Sequence, residues 1–158
     1  MQEKKKVLLH GVFKRSFFGN LNGKADEDFF ILEGRPGLEA AETSCREFLK
    51  RGITPTVISD NMAGFLFFKD LVKEVWMAAQ MSNDDGALCN TGALILGVLA
   101  KKHRVPVYLF SARRQTKWMG RERELLMFKG SRTAPPGVRG YVPLVEWVPG
   151  QYITKTYE

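Results

Sequence analysis

Cysteine, histidine and long apolar runs are all scarce in this chain. It holds two Cys and two His among 158 residues. Cys45 and Cys89 do not form a CxxC pair, which excludes a disulfide framework. Neither His10 nor His103 has neighbours at zinc-ligand spacing, so no metal is implied, and no cofactor is called for. No apolar run is long enough to span a bilayer, and the charged start MQEKKK leads into too few apolar residues for a signal peptide. The expected location is the cytosol, with both thiols reduced and no membrane partner.

What the chain does have is enough length for one well-buried core, with 44% hydrophobic and 26% charged residues. Its formal charge of +7 gathers at Lys4-Lys5-Lys6, at Lys101-Lys102-His103-Arg104 and between Arg113 and Arg123. The first two clusters read as solvated surface and helix-end cations.

The organising stretch is Thr54 to Gly64. A β-branched run, Thr56-Val57-Ile58, breaks at Ser59-Asp60-Asn61 and passes into an apolar helix read from Asn61 to about Val72. Such a helix, apolar almost all round, must be largely buried in the core or under a partner subunit. Lys6 to Gly11 is a first strand, and Phe29 to Leu32 a second. Between them, Phe13 to Asp28 shows no helical period, and Gly19-Asn20-Leu21-Asn22-Gly23 reads as a loop. Leu38, Ala41, Cys45, Phe48 and Leu49 share one helical face, which makes Cys45 a packing residue, and Gly52 stops that helix.

Val75 to Gln80 reads as a fourth strand, Ser82 to Gly86 as a polar elbow, Ala93 to Lys102 as an apolar helix, and Pro106 to Ser111 as a fifth strand. Alternating strands and helices predict an α/β fold: an open, mostly parallel three-layer sheet with helices on both faces. Arg113 to Lys129 is a basic, helix-compatible insertion, Thr133 to Gly137 a loop, and Val142 to Thr156 one edge strand in a C-terminal arm. One domain spans 1–158.

The elbows carry a resemblance. EGRPGLEAAETSCREFLKRGITPTVISDNMAG, Glu33 to Gly64, resembles the family that joins methylthioribose-1-phosphate isomerases, ribose-1,5-bisphosphate isomerases and the alpha, beta and delta subunits of eukaryotic initiation factor 2B. CNTGALILGVLAKKHRVPVYLFSA is similar to that family's NKIGT helix and following strand, and Glu146-Trp147-Val148-Pro149 to its closing F-D-x-T-P segment. The resemblance covers nearly all of the chain except roughly Arg113 to Arg139. It implies a Rossmann-like C-terminal domain without the family's N-terminal helical domain, so that half of the usual pocket wall is absent. It also implies a homodimer, because family members pair through this domain.

The resemblance bears on chemistry too. Family isomerases need a cysteine in T-H-C after the first strand and an aspartate in G-A-D-R after the fourth, one group to move a proton and one to handle a hydroxyl. Here Gly11 follows Leu9-His10 in place of the cysteine, and Ala79 stands in place of the aspartate. Cys89-Asn90 replaces the N-K pair, with loss of one cation. The ligand-binding positions that remain are His10, Gly11, Arg35, Asp60, Asn61, Asn90, Thr91 and Gly92.

Each has a plainer alternative. Arg35 either forks onto a phosphate or pairs with Glu33 or Asp60. Asp60 either binds sugar hydroxyls or caps the helix after it. Asn90-Thr91-Gly92 offers free backbone N–H groups at a helix start, suited to an anion.

The leading expectation is a module that binds a phosphorylated sugar or nucleotide without isomerase chemistry, with a protein partner that supplies the helical domain as a further expectation. A first rival is an isomerase or other enzyme rebuilt on Asp84, Asp85 and Cys89, with Cys89 activated in the first turn of its helix. A second rival uses Arg113, Arg114, Lys117, Trp118, Arg121 and Arg123 for RNA or assembly. That segment has no recognition motif, which puts nucleic acid last among the partners.

Overall fold

The computed structural model describes residues 3–21 and 27–157. In chain order its elements are β1 (Lys6–His10), α1 (Arg15–Gly19), β2 (Phe29–Leu32), α2 (Glu39–Leu49), β3 (Thr56–Ile58), α3 (Ala63–Phe68), β4 (Val72–Asn83) and β5 (Gly86–Asn90). There follow α4 (Ala93–His103), β6 (Val107–Ser111), α5 (Glu122–Leu126), β7 (Met127–Phe128), β8 (Ser131–Arg132), β9 (Val145–Pro149) and β10 (Lys155–Thr156).

Six strands run in the order β10-β6-β4-β1-β2-β3, and every pair along that path is parallel. The expected α/β fold is therefore what forms. Alternate side chains go to opposite faces, as strand geometry requires. Val7, Leu9, Phe29, Ile31 and Trp76 pack with Phe17, Phe18 and Phe48 under α1 and α2. Leu8, Phe30, Leu32, Val75 and Met77 pack with Leu66, Phe67, Leu96 and Ala100 under α3 and α4. Burying each such side chain contributes about 1.5–3 kcal/mol.

Several boundaries differ from the sequence reading. Residues Arg15–Gly19 form a short helix inside the stretch read as irregular, because Phe17 and Phe18 both find the core. Asn22 and Gly23 of the expected loop lie outside the described residues. The helix read from Asn61 to Val72 is a 3-10 turn at Asp60–Met62 followed by six α-helical residues. It stops early because Asp70 turns with φ +56° and Val72 is drawn into β4 beside Lys6. Nor is it buried all round: Phe65 is 52% and Phe68 78% exposed.

The polar elbow at Ser82–Gly86 turns into a hairpin rather than a helix. β4 continues beyond the sheet edge and folds back antiparallel as β5, which pairs in turn with β9. The C-terminal arm thus adds two strands instead of one, since β10 also extends the main sheet beside β6. Between Arg113 and Lys129 only Glu122–Leu126 is helical, and a two-residue hairpin of β7 and β8 follows it.

Candidate functional site

The carboxyl ends of β1, β2 and β6 converge on one polar cleft of about 340 Å³. β1 supplies His10 and Gly11, the loop after β2 supplies Gly34 to Gly37, the end of β5 supplies Asn90 and Thr91, and the chain after β6 supplies Arg113 to Lys117. Parallel strands aim their loops at one edge, which is why residues so far apart in sequence meet here. A hollow of about 390 Å³ on the α1 face, lined by Phe17, Trp76, Phe110 and Tyr157, contains none of the expected site residues.

His10 is 4% exposed, and its Nε2 lies 3.1 Å from the Asn90 carbonyl oxygen. A carbonyl only accepts, so Nε2 carries the hydrogen and Nδ1 presents a lone pair. Burial holds the imidazole below its usual pKa of 6.5, against the raising effect of the Asn90 carbonyl, and keeps the ring neutral. Nδ1 has no hydrogen-bond partner. Asn90 is fixed the same way: its amide nitrogen donates to Gln115 Oε1 at 2.9 Å and to the Leu144 carbonyl at 3.3 Å, which leaves its Oδ1 buried and unpartnered. Two buried acceptors on residues of the cleft, His10 Nδ1 and Asn90 Oδ1, therefore lack donors.

Gly11 has φ +93°, and a Cβ there would lie 3.0 Å from both the Ala78 Cβ and the Asn90 Oδ1. The glycine is what this backbone accepts. Ala79 is buried in the core under α3 and α4 and does not line the cleft.

Asp60 does not cap the helix after it; it holds the neighbouring loop. Its two carboxylate oxygens accept the backbone N–H groups of Gly34 at 2.9 Å and Arg35 at 2.7 Å, and no side chain caps the turn it begins. It fastens the loop after β2 to the end of β3. Asn61 accepts a hydrogen bond from Ser59 Oγ and does not line the cleft. Arg35 pairs with neither Glu33 nor Asp60 through its side chain. Its guanidinium lies 4.4 Å from the centre of the Phe128 ring and reaches the Leu125 carbonyl at 3.4 Å. Among the described residues, Arg113 pairs with Glu39, while Arg114 and Lys117 line the same cleft without an ion pair.

The helix start at Asn90-Thr91-Gly92 is already occupied. Glu146 Oε1 accepts the Gly92 N–H at 2.7 Å and the Leu94 N–H at 2.9 Å, and Thr91 N–H goes to the Leu144 carbonyl. The chain's own carboxylate takes the place expected for an external anion. Sequence reasoning missed Glu146 as a site residue, although it lies in the matched closing segment. Its signal was an acid brought by β9 to the turn from β5 into α4, and that pairing is invisible in one dimension.

The rebuilt site does not assemble. Cys89 lies in β5, not in the first turn of α4, and is fully buried. Burial, helped by Glu146, pushes its thiol up to about 12. Asp84 and Asp85 are exposed at the hairpin tip, while Cys89 pairs with Ala79 at the hairpin's other end. Among the described residues no group of His, Cys, Asp and Glu could hold a metal ion.

A parallel sheet with helices on both faces and a polar cleft at its carboxyl edge defines a Rossmann-like α/β domain. The family model of the initiation factor 2 subunit family matches residues 22–156, across the 113–139 segment as well. The chain belongs to that family. It is 31% identical over 137 residues to a methylthioribose-1-phosphate isomerase of Desulforudis audaxviator, covering 79% of this chain and 39% of that protein. A second such isomerase, from Syntrophus aciditrophicus, is 33% identical, covering 79% and 37%. The chain thus spans about two fifths of the length of these curated relatives. The fold is shared with 5-methylthioribose 1-phosphate isomerase from Pyrococcus horikoshii, with TM-score 0.81 and 21% identity over 99% of this chain and 50% of that one. Among the described residues no helix is long and apolar enough to cross a membrane.

Proposed function

We propose that the cleft binds a small phosphorylated sugar or nucleotide, and that the chain does so without isomerase chemistry. The observation that carries the reading is the pair of buried acceptors without donors, His10 Nδ1 and Asn90 Oδ1, in a cleft that also holds Arg35, Arg113, Arg114 and Lys117. A buried acceptor left unpaired costs about 1–3 kcal/mol, so each favours a ligand that brings a hydroxyl. The cations suit the phosphate. Loss of the isomerase chemistry is supported by Gly11, which offers no side chain, and by Ala79, whose methyl is turned into the core.

The chain acts as a homodimer in this reading, paired through the exposed Phe65 and Phe68 of α3, and a protein partner adds a further wall to the cleft. The test is thermal stability of the purified chain with sugar phosphates, nucleotides and inorganic phosphate. A ligand at a hundred times its dissociation constant adds roughly 2.7 kcal/mol. The expected result is a shift with a sugar phosphate that exceeds the shift with inorganic phosphate and disappears in Arg35→Ala. No shift with any compound removes the reading, and measurable aldose to ketose conversion by the chain removes its second half.

A further inference from the structure

We propose that the paired runs 117–121 and 139–144, which adjoin the cleft at Lys117, form a binding surface for single-stranded RNA on their outer face. Residues 113–141 hold eight of the chain's 24 Lys and Arg but only two of its 17 Asp and Glu, a net +6 against +7 for the whole chain. The remaining basic clusters are partly spent on neighbours: Lys4 pairs with Asp28, Lys5 with Asp70, and Lys6 bonds Thr56. Most of the chain's net charge therefore lies in this segment, with Lys101, Lys102 and Arg104 as a second basic cluster at the end of α4.

The fold gives that charge a shape. Met119 bridges Pro143 antiparallel, Gly120 N–H donates to the Val142 carbonyl, and Leu144 N–H donates to the Trp118 carbonyl. In this register Arg121 stands opposite Tyr141. The backbone of Glu122 lies beside Gly140, where a Cβ would be 3.3 Å from the Glu122 Cα. Two extended runs, 117–121 and 139–144, thus lie side by side, with Lys117 and Arg121 on one and Arg139 on the other, and Arg123 follows in the first turn of α5.

Opposite residues of an antiparallel pair share a face. Gly120 faces inward with Val142, which is 4% exposed, and the alternation puts Met119, Arg121 and Tyr141 outward. Tyr141 is 80%, Trp118 54% and Met119 52% exposed. Among the described residues Arg123, Arg139 and Lys117 make no ion pair, and Arg121 meets only Glu124. The exposed Tyr141 ring thus shares its face with Arg121, and exposed Arg139 follows on the same run, an arrangement on which a base stacks while phosphates are neutralised. Unstacked bases are available in a single strand and hidden in a duplex, which decides the partner.

The experiment is fluorescence anisotropy of a labelled oligouridylate with the full chain, at 50 and 200 mM salt, with an RNA duplex and polyglutamate as comparisons. Contact with three phosphates predicts a loss of affinity of about 20-fold over that salt range. Tyr141→Ala is expected to weaken binding at least about fivefold at either salt. Arg139→Ala should weaken it and flatten the salt dependence, and both variants should keep the melting temperature of the parent, since Tyr141 and Arg139 are exposed. Equal binding of duplex or polyglutamate, salt-insensitive binding, or no effect of Tyr141→Ala overturns the proposal. Neither residue lines the cleft. Arg35→Ala should therefore abolish the metabolite shift and leave RNA binding intact, which separates failure of one reading from failure of the other.

Discussion

The Asp60 carboxylate and the Arg35 backbone are joined across two strands: Arg35 N–H donates to Asp60 Oδ2 at 2.7 Å while Gly34 N–H donates to the other oxygen. The loop that carries Arg35 into the cleft owes its position to this double contact. Asp60→Ala is expected to destabilise the chain by about 2 kcal/mol, since hydrogen bonds to a charged acceptor contribute about 1.5–3 kcal/mol. It should also weaken phosphate binding, because the loop that carries Arg35 loses its anchor although Asp60 itself is not among the residues lining the cleft. Denaturant unfolding and titration calorimetry check the two halves. Unchanged stability would mean that the loop is held by something else.

Glu146 serves α4 as an internal anion, with both Gly92 and Leu94 donating to one of its oxygens. Glu146→Ala should cost about 1–2 kcal/mol, and Glu146→Gln, which keeps an acceptor but no charge, should cost less. An alanine variant as stable as the parent would show that solvent replaces the carboxylate at no penalty.

His10 makes stability depend on pH. Its folded pKa lies below the unfolded value of 6.5 because burial disfavours the cation. As pH falls through 6.5 the unfolded chain binds a proton that the folded chain refuses, so stability is lost between that value and the folded one, and the loss saturates below. Melting temperature followed from pH 7.5 to 5.5 should therefore fall further for the parent than for His10→Asn. Parallel curves would show that His10 takes its proton in the folded state.

Cys89 should resist thiol reagents at pH 8 in the native chain and react only after unfolding, because its thiol is fully buried and pushed up to about 12. Cys45, half-buried on α2, is the one expected to label first. Cys89→Ser should leave ligand binding unchanged, whereas loss of any measured turnover would revive a cysteine-based site.

The exposed rings of α3 predict the oligomer. Phe65→Glu with Phe68→Glu should convert a dimer to a monomer at micromolar concentration with little change in protomer stability, as read by sedimentation equilibrium. A parent chain already monomeric would leave the 78% exposure of Phe68 without a partner.

The parallel sheet was legible because β1, β2, β3 and β6 are short apolar runs bounded by turn residues, and α2 keeps a helical period. Cys45 and the three basic clusters were legible too. What could not be read were long-range pairings. β5 looks like part of a polar elbow until β9 lies beside it, and Asp60 looks like a cap until the backbone of Gly34 comes within reach. The helix start after Asn90 satisfied every local rule for an anion site, yet Glu146, more than fifty residues later, fills it. Local propensity fixed element types well and left side-chain partners open, because tertiary contacts settle them.

The shelf made by β4, β5 and β9 also has a consequence in time. β9 and β10 come much later in the sequence than their partners β5 and β6, so while the protein is being synthesised β5 and β6 each wait with an unpaired edge, and the carboxylate that seats α4 emerges well after the helix itself. Closure of such distant pairs comes last because loop entropy must be overcome before they form. The nascent chain therefore passes through a stage with two sticky edges and an uncapped helix, and it leaves that stage only when the strands β9 and β10 arrive to cover them.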